Sequence, residues 1–450
     1  MAKSKQKFIC QNCEAVFYKW AGRCENCGEW NSLVEQTLPE VGRSAVARSI
    51  NNGKPLQVNL LNSIPFEEGM KRLKTGIGDL DIILGGGILP GGVTLLAGQP
   101  GIGKSTLLLQ AVSNIAHNYN VLYISGEESA GQVRLRAVRL GADKSSNLNF
   151  AASTSADDIA ATIRTGKYQL VVVDSVQTLH LNEITSSPGS ISQITNSSNV
   201  IINAAKETGT SVIFVGHVTK EGSIAGPKIL EHLVDVVLQF EGDRYGGFKI
   251  VRAVKNRYGS TNEAAIFEMG EKGLKIVENP SAALLAERRD EDGSVVLATL
   301  EGARPLLVEI QALVNSTNFG YPKRTASGFD INRLNLLIAV LERRTKLKLS
   351  DKDIYINVVG GIKISDPAAD LAICMAIASA SAGRRLNYGT VVFGEVGLGG
   401  EVRSVTSIEK RIAEAKKLGF TKALAPRTSK DDFIIGVDNV RSTLIEYLQK

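Results

Sequence analysis

Three things are scarce in this chain, and each scarcity narrows what it does. Long apolar runs are the first. The most apolar stretch, residues 371–383, is too short and too alanine-rich to cross a bilayer, so it reads as a buried core helix and no membrane partner is expected. No apolar segment follows the opening Met-Ala-Lys-Ser-Lys-Gln-Lys, which speaks against a secretory signal and for a cytoplasmic location. Cysteine is the second. Beyond residue 27 the chain has only Cys374, a core residue of that apolar stretch, so a disulfide framework is the weaker reading. Charge imbalance is the third: a net charge of +6 in 450 residues permits a nucleic-acid partner without demanding one. What remains is an ordinary globular composition, 43% hydrophobic, in a chain too long for one core, so two or three domains are expected.

The chain is organised around Gly98-Gln99-Pro100-Gly101-Ile102-Gly103-Lys104-Ser105-Thr106. An apolar run, 93–97, precedes this string and Leu107-Leu108-Leu109-Gln110-Ala111-Val112 follows it, so the order is strand, glycine loop, helix. In that context the string is a phosphate cradle. Glycines let backbone N–H groups close around phosphates, and the helix N-terminus adds the positive end of its dipole. Lys104 is placed to neutralise β/γ-phosphate charge and the Ser105 hydroxyl to hold Mg²⁺. A nucleotide-binding protein is expected.

Cys10, Cys13, Cys24 and Cys27 read C-x2-C-x10-C-x2-C, two thiolate pairs on two knuckles, which is the arrangement tetrahedral Zn²⁺ takes. So small a segment buries too little to fold alone, and the metal supplies the folding free energy. Four thiolates leave no open position, so the zinc is structural. Residues 1–36 form this module. Residues 37–63 lose apolar periodicity and carry Pro39, Gly42, Gly53 and Pro55, as a linker does.

Strand-type runs recur at 121–125, 170–174, 212–216 and 236–240 with helical segments between them. Continuous apolar strands alternating with helices predict an α/β domain over 64–280, its mostly parallel sheet flanked by helices. Ligands bind beyond the carboxyl ends of such strands. Asp174 ends the 170–174 run and reaches Mg²⁺ through water. Glu127 and Glu128 follow the 121–125 run, where a carboxylate takes a proton from, or orients, the water attacking the γ-phosphate. Glu127 is nearer the strand end and is preferred, with Glu128 left open. His217 follows the 212–216 run, placed either to sense the γ-phosphate or to serve as a structural histidine. Residues 183–199 and 219–228, the latter with Lys220 and Lys228, read as loops.

Together these features resemble the RecA-like ATPases. The Leu-Asp…Leu-Gly-Gly-Gly…Pro-Gly lead-in (residues 80–91), the Gly-Glu-Glu-Ser string and the zinc module narrow the resemblance to the bacterial RadA (Sms) family, over essentially the whole chain. Its most specific string is Lys255-Asn256-Arg257-Tyr258-Gly259, where the family usually has Phe before the Gly. The resemblance implies ATP as nucleotide, and Lys255 and Arg257 acting in trans on a neighbouring copy's γ-phosphate. It also places residues 183–199, Lys220 and Lys228 facing a central axis that holds single-stranded DNA. Few aromatics lie in those loops, so such binding rests on phosphate contacts more than on base stacking.

A charge cluster within 281–294 marks a boundary, and a new pattern begins at Val295. Residues 353–382 and 391–400 resemble the Lon protease domain, a mixed α/β fold that often forms rings, so 295–450 is expected to be Lon-like. The nucleophile position holds Ala368 within Asp366-Pro367-Ala368-Ala369-Asp370, and the dyad lysine falls on Glu409 or, one residue on, Lys410. Alanine has no nucleophile, so a scaffold and not a peptidase is expected. Residues 301–350 carry a net +4, with Arg343, Arg344, Lys346 and Lys348 offered to a phosphate backbone. The family resemblance implies a Mg²⁺- and ATP-dependent DNA motor of homologous recombination and repair. It would bind single-stranded DNA and branched intermediates, form a ring oligomer, a hexamer, and cooperate with RecA. A RecA-like signalling ATPase acting on proteins is the rival.

Overall fold

The computed structural model describes residues 7–10, 15–30, 32–36, 60, 71–217, 229–242, 247–317, 320–427 and 431–448. The expected linker, save Leu60, and the candidate residues Cys13, Lys220 and Lys228 lie outside them. The chain divides into two units, 1–68 and 69–450. In the first, β1 (Lys7–Cys10), β2 (Val16–Phe17) and β3 (Leu33–Gln36) form an antiparallel sheet in the order β2-β1-β3. Cys10, Cys24 and Leu33 make its small core.

The second unit opens with α1 (Gly78–Ile83), then β4 (Val93–Gly98), α2 (Lys104–Ile115), β5 (Val121–Ser125), α3 (Ala130–Leu140) and β6 (Leu148–Ala152). Next come α4 (Ala156–Arg164), β7 (Leu170–Asp174), α5 (Ile191–Thr208), β8 (Ser211–His217), α6 (Ile229–Leu233) and β9 (Val236–Gly242). Strands β10 (Lys249–Asn256), β11 (Ala264–Gly270) and β12 (Gly273–Ile276) complete a nine-stranded sheet in the order β12-β11-β10-β9-β4-β8-β7-β5-β6. From β9 to β6 every pairing is parallel; β10, β11 and β12 add an antiparallel flank. Strands β4, β5 and β7 are buried at every residue, because helices cover both faces of the sheet. The expected strands and their parallel arrangement are therefore present.

Residues 191–199 are helical and not loop. Ser190 caps α5 by accepting from the Gln193 N–H, and Ile194, Ile201 and Ile202 are buried against the sheet's second face. The Ser, Thr and Asn residues that suggested a loop are weak helix formers, and burial of one apolar face overrides them.

Beyond β12, α7 (Pro280–Leu285) leads into β13 (Ser294–Glu301), β14 (Arg304–Ser316), β15 (Arg324–Ser327), α8 (Ile331–Thr345) and β16 (Lys352–Val358). Then follow α9 (Ala369–Ala382), β17 (Thr390–Val392), the short pair β18 (Glu395–Val396) and β19 (Val402–Arg403), α10 (Ile408–Lys417), β20 (Lys422–Pro426), β21 (Ile434–Val437) and α11 (Val440–Tyr447). Their mixed seven-stranded sheet runs β15-β16-β14-β13-β17-β20-β21. Helix α9 is apolar all round and buried from Ala369 to Ser379, Cys374 included, as a core helix should be. Ile250, Ala264 and Ile266 of the first sheet belong to the same apolar cluster as this second core. Ion pairs Arg304–Asp79 (2.8 Å) and Arg252–Glu301 (3.0 Å) reinforce the junction.

Candidate functional site

The glycine loop joins β4 to α2 at the carboxyl end of the sheet. Gly103, just before the helix, has φ +117°, a conformation L side chains rarely adopt, and a Cβ on Gly98 would meet the Phe240 carbonyl at 2.6 Å. The loop thus keeps its backbone bare toward a cavity of about 380 Å³. Lys104, Ser105, Glu127, Glu128, Asp174 and His217 all line that cavity.

Lys104 is 4% exposed, and its Nζ donates to the carbonyls of Gly98 (2.8 Å) and Gln99 (2.9 Å). Burial lowers its pKa to about 8, against the opposing pull of Asp174 and Glu127. A buried cation under a bare backbone loop fits a polyphosphate. Ser105 Oγ donates to Asp174 Oδ2 at 2.7 Å, so hydroxyl and carboxylate already converge as a Mg²⁺ site requires. Tyr123, buried one strand away, donates its hydroxyl to the same Asp174 oxygen at 2.5 Å. Burial, with Asp174 beside it, holds the Tyr123 phenol well above its ordinary pKa.

His217 bridges two charged groups. Its Nδ1 lies 3.1 Å from Lys104 Nζ and its Nε2 3.2 Å from Glu127 Oε1. An ammonium only donates, so Nδ1 accepts and Nε2–H points at Glu127. Ser175 Oγ donates to the same carboxylate oxygen. The His217 hydrogen bond, over the opposing effect of burial, carries Glu127 down to about 2. Glu128, in contrast, is clamped by both terminal nitrogens of Arg136, a fork-to-fork pair.

Arg257 and Lys255 are elsewhere. Arg257 donates to Asp235 Oδ1 at 3.0 Å, and Asp235 Oδ2 accepts the Val93 N–H at 3.0 Å, at the start of β4 and not at its phosphate end. Lys255 Nζ donates to the carbonyls of Glu231 (2.6 Å) and Val234 (2.7 Å). The two sit together but apart from the cavity. Arg343, Arg344, Lys346 and Lys348 are exposed around the end of α8. Ala368 is fully buried at the start of α9, and Asp366 beside it accepts from Arg411 (2.7 Å) and Thr299 (3.0 Å). Glu409 and Lys410 are both exposed on α10.

In the small unit, the sulfurs of Cys10, Cys24 and Cys27 lie within 4.8 Å of one another, with Cys10 and Cys27 at 3.6 Å. Thiolates about 2.3 Å from one tetrahedral Zn²⁺ stand at that separation, so the donor set fits zinc.

Sequence reasoning missed Tyr123, Ser175, Arg136 and Arg139, which line or support the cavity. Tyr123 lies in an apolar strand and reads as core. Arg136 meets Glu128 only once the helix between them has formed.

A family model described as an AAA domain matches residues 69–223. One described as subunit ChlI of Mg-chelatase matches 334–429, and a rubredoxin metal binding domain matches 8–35. The AAA match and the cradle make this chain an ATPase, with ATP and Mg²⁺ implied. Among the described residues no helix is long and apolar enough to cross a membrane. A solved RadB recombinase covers 46% of the chain at 23% identity with a TM-score of 0.37, too low to carry an argument. DNA repair protein RadA of Bacillus subtilis (strain 168) is 48% identical, covering 99% of each chain. The proteins of that name from Pseudomonas aeruginosa and Halalkalibacterium halodurans are 46% and 45% identical. The first alignment covers 95% of this chain and 94% of the relative, the second 99% of each. On that identity across nearly its whole length, the chain belongs to the RadA family of DNA repair proteins.

Proposed function

We propose that this ATPase is a DNA motor of homologous recombination and repair. It works as a hexameric ring with single-stranded DNA in the pore, migrates branched intermediates and cooperates with RecA. The observation that carries the ring is the distance between Arg257 and its own phosphate cradle. Arg257 is tied through Asp235 to the Val93 end of β4, and the cradle opens at the Gly98 end. Five residue steps of strand put roughly 17 Å between those ends. Arg257 therefore serves a γ-phosphate only in a neighbouring copy, where its charge, with that of Lys255, offsets the charge on the departing phosphoryl group.

Within one copy, Lys104 and the bare loop 98–106 hold the phosphates, and Ser105 and Asp174 hold Mg²⁺. The metal, when bound, neutralises phosphate charge. Tyr123 fixes the Asp174 carboxylate from below. The His217 hydrogen bond holds Glu127 ionised in the free protein, and its carboxylate takes a proton from, or orients, the attacking water. Glu128 is occupied by Arg136, which leaves Glu127 as the carboxylate that faces the reaction. His217 joins Lys104 to Glu127 and so couples the phosphate end to that carboxylate. Arg343, Arg344, Lys346 and Lys348, exposed around the end of α8, offer phosphate contacts to DNA. Lys220 and Lys228, outside the described residues, are assigned the same role. The zinc, held by Cys10, Cys13, Cys24 and Cys27, is structural.

The test is ATP turnover with and without single-stranded DNA, on wild type, Lys104→Ala and Arg257→Ala. DNA should stimulate wild type, both variants should lose turnover, and Arg257→Ala should still bind ATP. If DNA leaves turnover and binding untouched, the motor reading falls and a protein-acting ATPase takes its place.

A further inference from the structure

The second sheet carries a cavity of its own. Its volume is about 320 Å³, and none of its lining residues belongs to the cradle. Glu309 and Gln311 of β14, Ser327 of β15 and Asn357 of β16 line one wall. Leu284 of α7, with Glu287 and Arg288 just beyond that helix, lines the other. Gly360 closes one end: its φ is +87°, and a Cβ there would collide with the Leu284 side chain.

Two opposite charges line this space without meeting. Glu309 is 4% exposed, and its Oε1 accepts the Ser294 hydroxyl at 2.6 Å; no cation pairs with it among the described residues. Arg288 lays its guanidinium on the Tyr388 ring, 4.2 Å from the centroid, and donates Nη1 to the Tyr388 carbonyl at 2.9 Å. Its Nε is buried with no hydrogen-bond partner among the described residues. Burial lowers the Arg288 pKa, and Glu309 is among the groups whose charge opposes that shift, so the two act on each other across the gap. A buried charge without a counter-charge costs free energy. One ligand relieves both costs if it brings an ammonium to Glu309 and a carboxylate to Arg288. Glu287, the third charge of the lining, is exposed and screened by water.

Size and the neutral lining narrow the ligand further. At a liquid volume of roughly 30 Å³ per water, the cavity holds about ten waters, which is room for a molecule of about ten non-hydrogen atoms. Gln311, Asn357 and Ser327 stand in one row across β14, β16 and β15 by register, and Asn357 Nδ2 donates to Gln311 Oε1 at 3.3 Å. Amides and a hydroxyl offer hydrogen bonds in both senses and no charge. We propose that this cavity binds a free α-amino acid with a polar, uncharged side chain of about glutamine's size. Its ammonium lies on Glu309, its carboxylate on Arg288 and its side chain along the row of Gln311, Asn357 and Ser327. The site is separate from the ATP cradle.

Calorimetric titration of the full chain with L-glutamine tests this, beside L-glutamine α-amide, which lacks the carboxylate, and N-acetyl-L-glutamine, which lacks the ammonium. L-Glutamine should bind wild type, and each derivative should bind at least about tenfold more weakly. Glu309→Gln, which keeps the shape and an acceptor for Ser294, should weaken L-glutamine by a similar factor, as should Arg288→Gln. Both variants should bind Mg-ATP as wild type does. Equal binding of the α-amide would make this a cation site, and equal binding of the N-acetyl form an anion site; either overturns the proposal. So would a wild type that does not bind L-glutamine, or binding that survives both substitutions. A variant that also loses Mg-ATP has a damaged fold, and the two derivatives on wild type then decide.

Discussion

Two helices of this chain begin beside a charged group, and the two beginnings differ. Helix α2 starts at Lys104 on a cavity of about 380 Å³, and three of the charged groups there have partners that a ligand can replace: carbonyls on Lys104, a hydroxyl on Asp174, an imidazole on Glu127. Helix α9 starts behind Ala368, fully buried, and the charges beside it are paired with each other. Asp366 takes hydrogen bonds from Arg411, Thr299 and the Leu300 and Ala368 amides, and Arg411 itself is wholly buried. Where chemistry happens the polar network is exchangeable. Where a Lon-type nucleophile would stand, Ala368 is buried and the Asp366–Arg411 pair is held inside the fold.

The largest effect that sharpens this contrast is on the closed side. Arg411→Ala leaves Asp366 without its cation and opens the Arg411 contacts to Ala298 and Thr406. Loss of one partner of a buried pair costs about 3–5 kcal/mol, read as a shift in the denaturant midpoint. ATP affinity of the folded fraction should stay at the wild-type value, because no atom of this network reaches the cavity. A midpoint within 1 kcal/mol of wild type, on the scale of a surface change, would break the contrast.

On the open side the expected effect is smaller and depends on pH. Lys104 in the free protein has its pKa lowered to about 8 by burial. A bound triphosphate favours the ammonium and raises that pKa again. Below pH 8 the proton is already present. Above it, binding takes up a proton, so ATP affinity falls by up to about tenfold per pH unit. Titrating the ATP dissociation constant from pH 7 to 10 checks this, and Lys104→Arg, which does not titrate, should flatten the slope. A wild-type profile flat through pH 9 would contradict it.

The same contrast explains what could be read from sequence. The strands β4, β5, β7 and β8 announce themselves as continuous apolar runs, and the glycine loop lies between a strand and a helix, so the sheet, the cradle and the zinc knuckles were legible. What was not legible depends on contacts between distant residues. Tyr123 under Asp174 looks like one more apolar residue of β5 until the sheet sets the two strands side by side. The pairing of Glu128 with Arg136, eight residues on, is hidden in the same way, because the two meet only through the start of α3. Helix α5 was hidden by its Ser, Thr and Asn residues, because the burial of Ile194 and Ile201 is decided by the sheet and not by local propensity.

The central claim is that each cradle is completed by another copy's Arg257. Lys104→Ala keeps Arg257 and lacks a working cradle; Arg257→Ala keeps the cradle and lacks the arginine. Each alone should be nearly inactive, with an arginine acting on the transferring phosphate worth roughly a thousandfold or more in turnover. Mixing the two variants and measuring ATP hydrolysis tests the claim most directly. The account predicts that the mixture recovers activity well above the sum of its parts, because Lys104→Ala subunits lend Arg257 to the intact cradles of their neighbours. A mixture no more active than the two variants measured separately would contradict it.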